Sequence, residues 1–120
     1  MNIGIVGGKG EDMVARFMKS KGFILIKRNY QCRWGEIDII AEKGDYIVFT
    51  EVKTRKENTA VPIEEAVDIR KRKRLILSAE DFLSKYNSDK QPRFDTALVT
   101  VGQKPDGNTG YSLKYIESAF

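Results

Sequence analysis

Two β-rich runs, Glu36 to Lys43 and Tyr46 to Thr54, flank the pair Gly44-Asp45, and no other stretch constrains the fold as much. Glycine supplies the positive φ that tight hairpin turns require, so the two runs predict an antiparallel hairpin. The elements around it follow from periodicity. Glu11 to Lys21 predicts a helix, with Met13, Val14, Phe17 and Met18 on one apolar stripe and Gly22 as its stop. Phe23 to Ile26 is apolar but too short for a helix, and predicts a buried strand. Pro62 and the acids Glu64 and Glu65 suit the start of a long helix over 63–86, whose apolar stripe includes Ala66, Val67, Leu75, Ala79, Phe82 and Leu83. Phe94 to Val101 and Tyr111 to Ile116 predict two further strands, joined by a polar loop over 102–110. The expected order is α-β-β-β-α-β-β, a mixed-sheet α/β sandwich in one domain spanning 1–120, with residues 1–8 as a flexible leader.

The hairpin also carries the chemistry. Side chains alternate faces along a strand, which puts Ile47, Phe49, Glu51 and Lys53 on one face and Val48, Thr50 and Val52 on the other. A two-residue turn pairs Lys43 with Tyr46, and the same register sets Asp38 opposite Glu51. Two opposed carboxylates in an apolar hairpin repel each other and lose hydration. A hard divalent cation relieves both costs, because carboxylate and carbonyl oxygens are its preferred ligands. Lys53 beside them would balance charge or hold and deprotonate a water. The same Glu-x-Lys spacing also suits a solvent-facing strand that deters edge pairing.

Composition narrows the alternatives. The chain of 120 residues contains no histidine and one cysteine, Cys32. That removes Ser-His-Asp and Cys-His catalysis, cysteine zinc sites and an internal disulfide. Any catalysis must run on carboxylates, lysine, arginine, hydroxyls, backbone dipoles or a hard metal. Residues 1–75 hold 16 Lys and Arg against 11 Asp and Glu, while 76–120 hold 5 against 6. The excess concentrates at Arg70, Lys71, Arg72, Lys73 and Arg74, with Lys53, Arg55 and Lys56 nearby. A basic half with Tyr30 and Trp34 close by suits a polyanion; a solvated helix face is the other reading.

Gly10-Glu11, Gly35-Glu36-Ile37-Asp38, Phe49-Thr50-Glu51-Val52-Lys53-Thr54-Arg55 and Arg93-Phe94-Asp95 occur in that order. Together they resemble the YraN-like bacterial family, which is itself similar to archaeal Holliday-junction resolvases of the PD-(D/E)xK nuclease superfamily. The resemblance covers roughly residues 9 to 100. It implies a restriction-endonuclease-like three-layer core, a mixed β-sheet flanked by helices. It also implies a metal-dependent endonuclease acting on DNA, branched or otherwise structured DNA included. Asp38 and Glu51 would be the metal-ligating acids, the carbonyl of Val52 a further ligand, Lys53 the catalytic lysine and Glu11 the acid from the first helix. Mg²⁺ or Mn²⁺ would be the cofactor, and by analogy with resolvases a homodimer the assembly. Ile37-Asp38 stands where the superfamily has a proline-aspartate pair. A fold can be kept without its chemistry, so a non-catalytic nucleic-acid-binding module, or an interaction subunit of a DNA-processing machine, is the alternative.

Other features weigh less. Glu36 shares Asp38's strand face and suits a hydrogen-bonding or solvent-exposed role, with an outer metal ligand as the other reading. Arg93 and Asp95 share a face and predict an ion pair that supports the sheet. Arg33 and Trp34, in the loop before the hairpin, are candidate nucleic-acid contacts, though covering the core edge is the preferred reading for Trp34. Arg55 and the 70–74 run would contact phosphates, making binding salt-dependent, or simply solvate their elements. The segment Ile3 to Gly10 lacks the preceding strand and the Ser or Thr of a nucleotide-binding loop. No apolar run is long enough to span a membrane and no secretory signal is visible, so the expectation is a cytoplasmic protein.

Overall fold

The computed structural model describes residues 3–57 and 69–120. Helix α1 (Ile3–Ser20) leads into strands β1 (Ile24–Cys32), β2 (Gly35–Lys43) and β3 (Tyr46–Lys56). Helix α2 (Ile69–Leu83), then β4 (Gln91–Gln103) and β5 (Thr109–Ile116), complete the chain. The five strands form one sheet in the order β1-β2-β3-β4-β5. All neighbours are antiparallel except β3 and β4, which run parallel on either side of the α2 connection.

The element order is the one expected, α-β-β-β-α-β-β. Each face of the sheet is sealed by one helix. On one side Val14, Ala15 and Met18 of α1 bury Ile39, Ala41, Val48, Ala97 and Val99. On the other, Leu75, Ala79 and Phe82 of α2 pack on Ile40, Ile47 and Phe49. Val48 against α1 and Ile47 with Phe49 against α2 are the two faces that strand alternation predicts. The result is a three-layer α/β core.

The hairpin turn holds its expected register, from Lys43 opposite Tyr46 to Ile39 opposite Thr50. Gly44 takes φ 57° as the first turn residue, a value that costs an L side chain about 1–2 kcal/mol. Gly44→Ala should therefore lower the unfolding free energy by about 1 kcal/mol, read as a lower urea midpoint with an unchanged slope. An unaltered midpoint would show that the turn tolerates the side chain. Gly22 ends α1 in a Schellman arrangement, with Phe23 N donating to Met18 O (3.0 Å) and Gly22 N to Lys19 O (3.1 Å).

Several boundaries differ from expectation. Helix α1 begins at Ile3, so the stretch expected as a leader is helical from that residue on. Gly10 serves packing there: a Cβ at this position would lie 2.7 Å from Thr54 Oγ1, so the absent side chain lets α1 lie close on β3. Strand β1 is longer than expected and is an edge strand, more exposed than a buried one. Lys27, Arg28 and Gln31 read as loop residues, yet polar side chains are what an edge strand carries. Pro62 and the first part of the helix expected from Ile63 lie outside the described residues; α2 is described from Ile69 and ends at Leu83 rather than Tyr86. No described helix is long and apolar enough to cross a membrane.

Candidate active site

The face that buries Ile47 and Phe49 continues along β3 into Glu51 and Lys53. The helical face that buries Leu75 and Ser78 continues back one turn into Lys71. These two extensions meet. Glu51 Oε1 receives the ammonium groups of both Lys71 and Lys53, the latter at 3.4 Å. Glu51 is only 6% exposed, and its second oxygen, Oε2, has no hydrogen-bond partner among the described residues. A buried carboxylate oxygen left unpaired is costly, and it marks the position as one selected for something other than stability.

Asp38 sits at the point where β2 and β3 part. Backbone pairing ends at Ile39 and Thr50, one step before Asp38 and Glu51 would face each other. In place of a further ladder bond, Val52 N donates to Asp38 Oδ2 at 2.7 Å. The register is as expected, but the direct Asp38–Glu51 pairing is replaced by this side-chain-to-backbone bond. Burial raises the Asp38 pKa to about 6, with the Val52 N–H opposing and Glu11, Glu36 and Glu51 adding repulsion.

Glu11 reaches the same region from α1. Burial raises its pKa, Arg28 opposes this, and Glu36 and Asp12 add to it. The side-chain nitrogen of Asn29, turned toward the two acids, donates to Glu11 Oε1 (2.9 Å) and to Glu36 Oε1 (3.0 Å). Glu36 thus has the hydrogen-bonding role expected of it. Asn29 itself was not foreseen as a site residue. It adopts φ 54°, a left-handed conformation that asparagine tolerates better than most residues. Among the described residues no three acids or cysteines stand close enough together to hold a metal ion, so the acids form an open constellation rather than a closed cage.

The lysines are tuned in opposite directions. Burial and the neighbouring Lys71 push Lys53 below the ordinary lysine range, against the pull of Glu51. Burial also opposes the charge on Lys71, but its bonds to Glu51 and Lys53 outweigh that and raise its pKa. Lys71, expected as one of five phosphate contacts, is therefore a member of the acid–lysine cluster.

A cleft of about 620 Å³ opens from this cluster between the β1–β2 turn and α2. Asp38, Glu51 and Val52 lie along it, as do Arg33 and Trp34 from the turn and Arg74 from α2. The basic run of α2 is split by helical geometry: Lys71 and Arg74 face the cleft, while Arg72 stacks over Phe120 at 5.4 Å. Arg70 and Lys73 are exposed away from it, and Arg55 is half-buried farther along β3. Tyr30 is not a cleft residue. Its ring packs edge-on against Phe82 at 5.2 Å and its hydroxyl donates to Asp81.

The fold and this site define a mixed-sheet α/β/α protein whose β-hairpin brings two acids to a cleft that Arg33, Lys71 and Arg74 also line, with Lys53 beside Glu51. The chain belongs to the uncharacterised protein family UPF0102, the YraN-like bacterial family, whose family model matches residues 10–99. It is 38% identical to a UPF0102 protein of Dictyoglomus turgidum, over the full length of both chains. With that of Dictyoglomus thermophilum the identity is 44%, covering 86% of this chain and 88% of the relative. With that of Clostridium botulinum strain 657 it is 36%, covering 96% and 93%.

Proposed function

We propose that this protein is a metal-dependent nuclease that hydrolyses phosphodiester bonds in DNA, branched or structured DNA included. The observation that carries the reading is Glu51: a nearly fully buried carboxylate with one orphaned oxygen, beside Asp38 and Lys53, at the mouth of a cleft rimmed by arginine and lysine. Pure binding of a polyanion gains nothing from acids placed to face it.

The residues fit a hard cation. Asp38 and Glu51 offer carboxylate oxygens, the Val52 carbonyl follows Glu51 directly along β3, and one or two carboxylates are the usual protein share of a Mg²⁺ site. Mg²⁺ or Mn²⁺ bound there would neutralise the acids and polarise the phosphate. Lys53, whose ammonium reaches Glu51 Oε1 at 3.4 Å, is placed to orient the attacking water and balance developing charge. Glu11, tied through Asn29 to Glu36, stands in reserve at the edge of the cluster. Arg74 and Arg33 would hold the phosphates of the strand.

A second reading has an observation of its own. Lys71 and Lys53 already neutralise Glu51 without any metal, which suits a non-catalytic nucleic-acid-binding module. Labelled linear, single-stranded and four-way-junction DNA, offered with Mg²⁺ or Mn²⁺ to wild type, Lys53→Ala and Asp38→Asn, separates the two. The nuclease reading expects metal-dependent cutting that both variants lose while keeping DNA affinity. Cutting that survives both changes would discard the site, and salt-sensitive binding with no cutting would select the binding module.

A further inference from the structure

The acid–lysine cluster occupies one end of the cleft and leaves its remainder unexplained. That remainder is walled by Arg33, Trp34 and Gly35 of the β1–β2 turn and by Arg74, Leu75 and Ser78 of α2. We propose that it is a subsite for one unpaired nucleotide next to the scissile phosphate, so that the preferred substrate carries an unstacked base. The proposal rests on the nuclease reading for the phosphate's position, but the subsite itself is a binding claim that needs no turnover.

Three observations support it. Trp34 is 36% exposed although it is the chain's only tryptophan, and the Arg33 guanidinium lies over its ring at 4.5 Å. An indole held in this way in a cleft wall is a stacking platform, and every base has a π-face to place on it. Second, Ser78 is 1% exposed, lines the cleft, and its hydroxyl has no hydrogen-bond partner among the described residues. An orphaned hydroxyl lining the same cleft as the indole suits the polar edge of a base. Third, the whole cleft, acid end included, measures about 620 Å³, in the range of small-ligand pockets, and Arg74 and Lys71 bring positive charge to it beside the acids. Bases within a duplex keep their faces covered by neighbours. Only single-stranded, bulged or flipped nucleotides can enter such a wall.

Because Trp34 is the only tryptophan, its fluorescence reports on the subsite directly. Full-length protein without divalent metal is titrated with an unstructured 12-nucleotide oligo-dT, the matching oligo-U, and a blunt duplex, while anisotropy of a label on the nucleic acid reports binding independently. The expected result is quenching of Trp34 by the single strands and little by the duplex at equal saturation. Trp34→Ala should weaken single-strand affinity about tenfold and duplex affinity less than twofold, whereas Trp34→Phe should stay within about threefold of wild type. Trp34 lies in an exposed turn, and matching thermal melts would exclude a folding cause. Saturating single-strand binding with unchanged fluorescence, or equal losses for single strand and duplex, would overturn the subsite while leaving the nuclease reading intact. No anisotropy change with any nucleic acid would overturn the subsite, while the metal-dependent nuclease reading would still be decided by the cleavage assay.

Discussion

Asp95→Ala is expected to destabilise the protein by about 3–5 kcal/mol, lowering the melting temperature by about 10–20 °C. Asp95 is 1% exposed on β4 and accepts four hydrogen bonds. Arg93 grips it with two parallel bonds, Nε to Oδ1 at 3.0 Å and Nη2 to Oδ2 at 2.9 Å. Tyr115 donates its hydroxyl to Oδ2 at 2.6 Å, and the Ser118 amide donates to Oδ1 at 2.9 Å. The Tyr115 hydroxyl also meets Thr50 Oγ1 at 3.0 Å, tying β3, β4 and β5 and the C-terminal turn into one network. Burial, reinforced by the bond to Asp95, pushes the Tyr115 pKa well above the ordinary tyrosine value, so the hydroxyl remains a donor at all ordinary pH.

Truncating Asp95 would leave the Arg93 guanidinium, whose side chain is 12% exposed and which lies over Tyr46 at 4.9 Å, with the exposed Glu117 carboxylate at 3.9 Å in place of its buried bidentate partner. Stranding one partner of a buried ion pair costs more than removing both. The double change Arg93→Met with Asp95→Leu should therefore recover more than half of the loss. Urea unfolding of the single and double variants reads both quantities. A loss below about 1 kcal/mol for Asp95→Ala, or a double variant no better than the single, would show that water enters to replace the carboxylate.

The parts of this molecule that were legible in the sequence are those set by short-range rules. Gly44-Asp45 fixes a turn, the turn fixes the register, and the register carries Ile47, Phe49 and Glu51 to one face. Arg93 and Asp95, two residues apart on one strand, could only meet each other or solvent. What was not legible depends on where a helix lies across the sheet. Nothing local to Arg70–Arg74 says that Lys71 ends on Glu51 while Arg72 ends on Phe120; that follows from the phase at which Leu75, Ala79 and Phe82 seat α2. The same holds for Gly10, whose missing side chain reads as flexibility in sequence and proves to be an approach to Thr54. Asn29 was legible only in part: asparagine between Arg28 and Tyr30 permits a left-handed residue, but its bridge between Glu11 and Glu36 joins two separate elements.

Asp38→Asn should act in opposite directions on stability and on cleavage. The Asp38 pKa rises from an ordinary 3.8 to about 6 in the folded protein, so the folded state holds this proton more tightly than the unfolded chain does. Between about pH 4 and pH 6 the folded state then binds more protons, and wild type loses stability as pH rises through that window. That displacement corresponds to about 2–3 kcal/mol of stability, fully present below the window and fully lost above it. Asparagine never ionises, yet its carbonyl can still accept from Val52 N. In metal-free buffer the variant should accordingly exceed wild type by about 2 kcal/mol at pH 7.5 and converge on it near pH 4, as measured by urea unfolding across that range. Glu11, Glu36 and Glu51 repel Asp38, so part of the difference is their relief from its charge in the variant, acting in the same direction. Mg²⁺ should reverse the ranking, stabilising wild type by mass action and the variant hardly at all. Under the proposed nuclease reading, cleavage should fall at least a hundredfold, because losing a metal ligand would remove several kcal/mol of charge stabilisation from the transition state. Superimposable pH curves would mean that Asp38 is solvated and exerts no strain on the fold. A stabilised variant indifferent to Mg²⁺ would mean that the strain serves something other than a cation. If both effects appear, the fold gives up stability at Asp38 for a site that only a divalent metal completes, which is the trade-off expected where function rather than packing selects a buried acid.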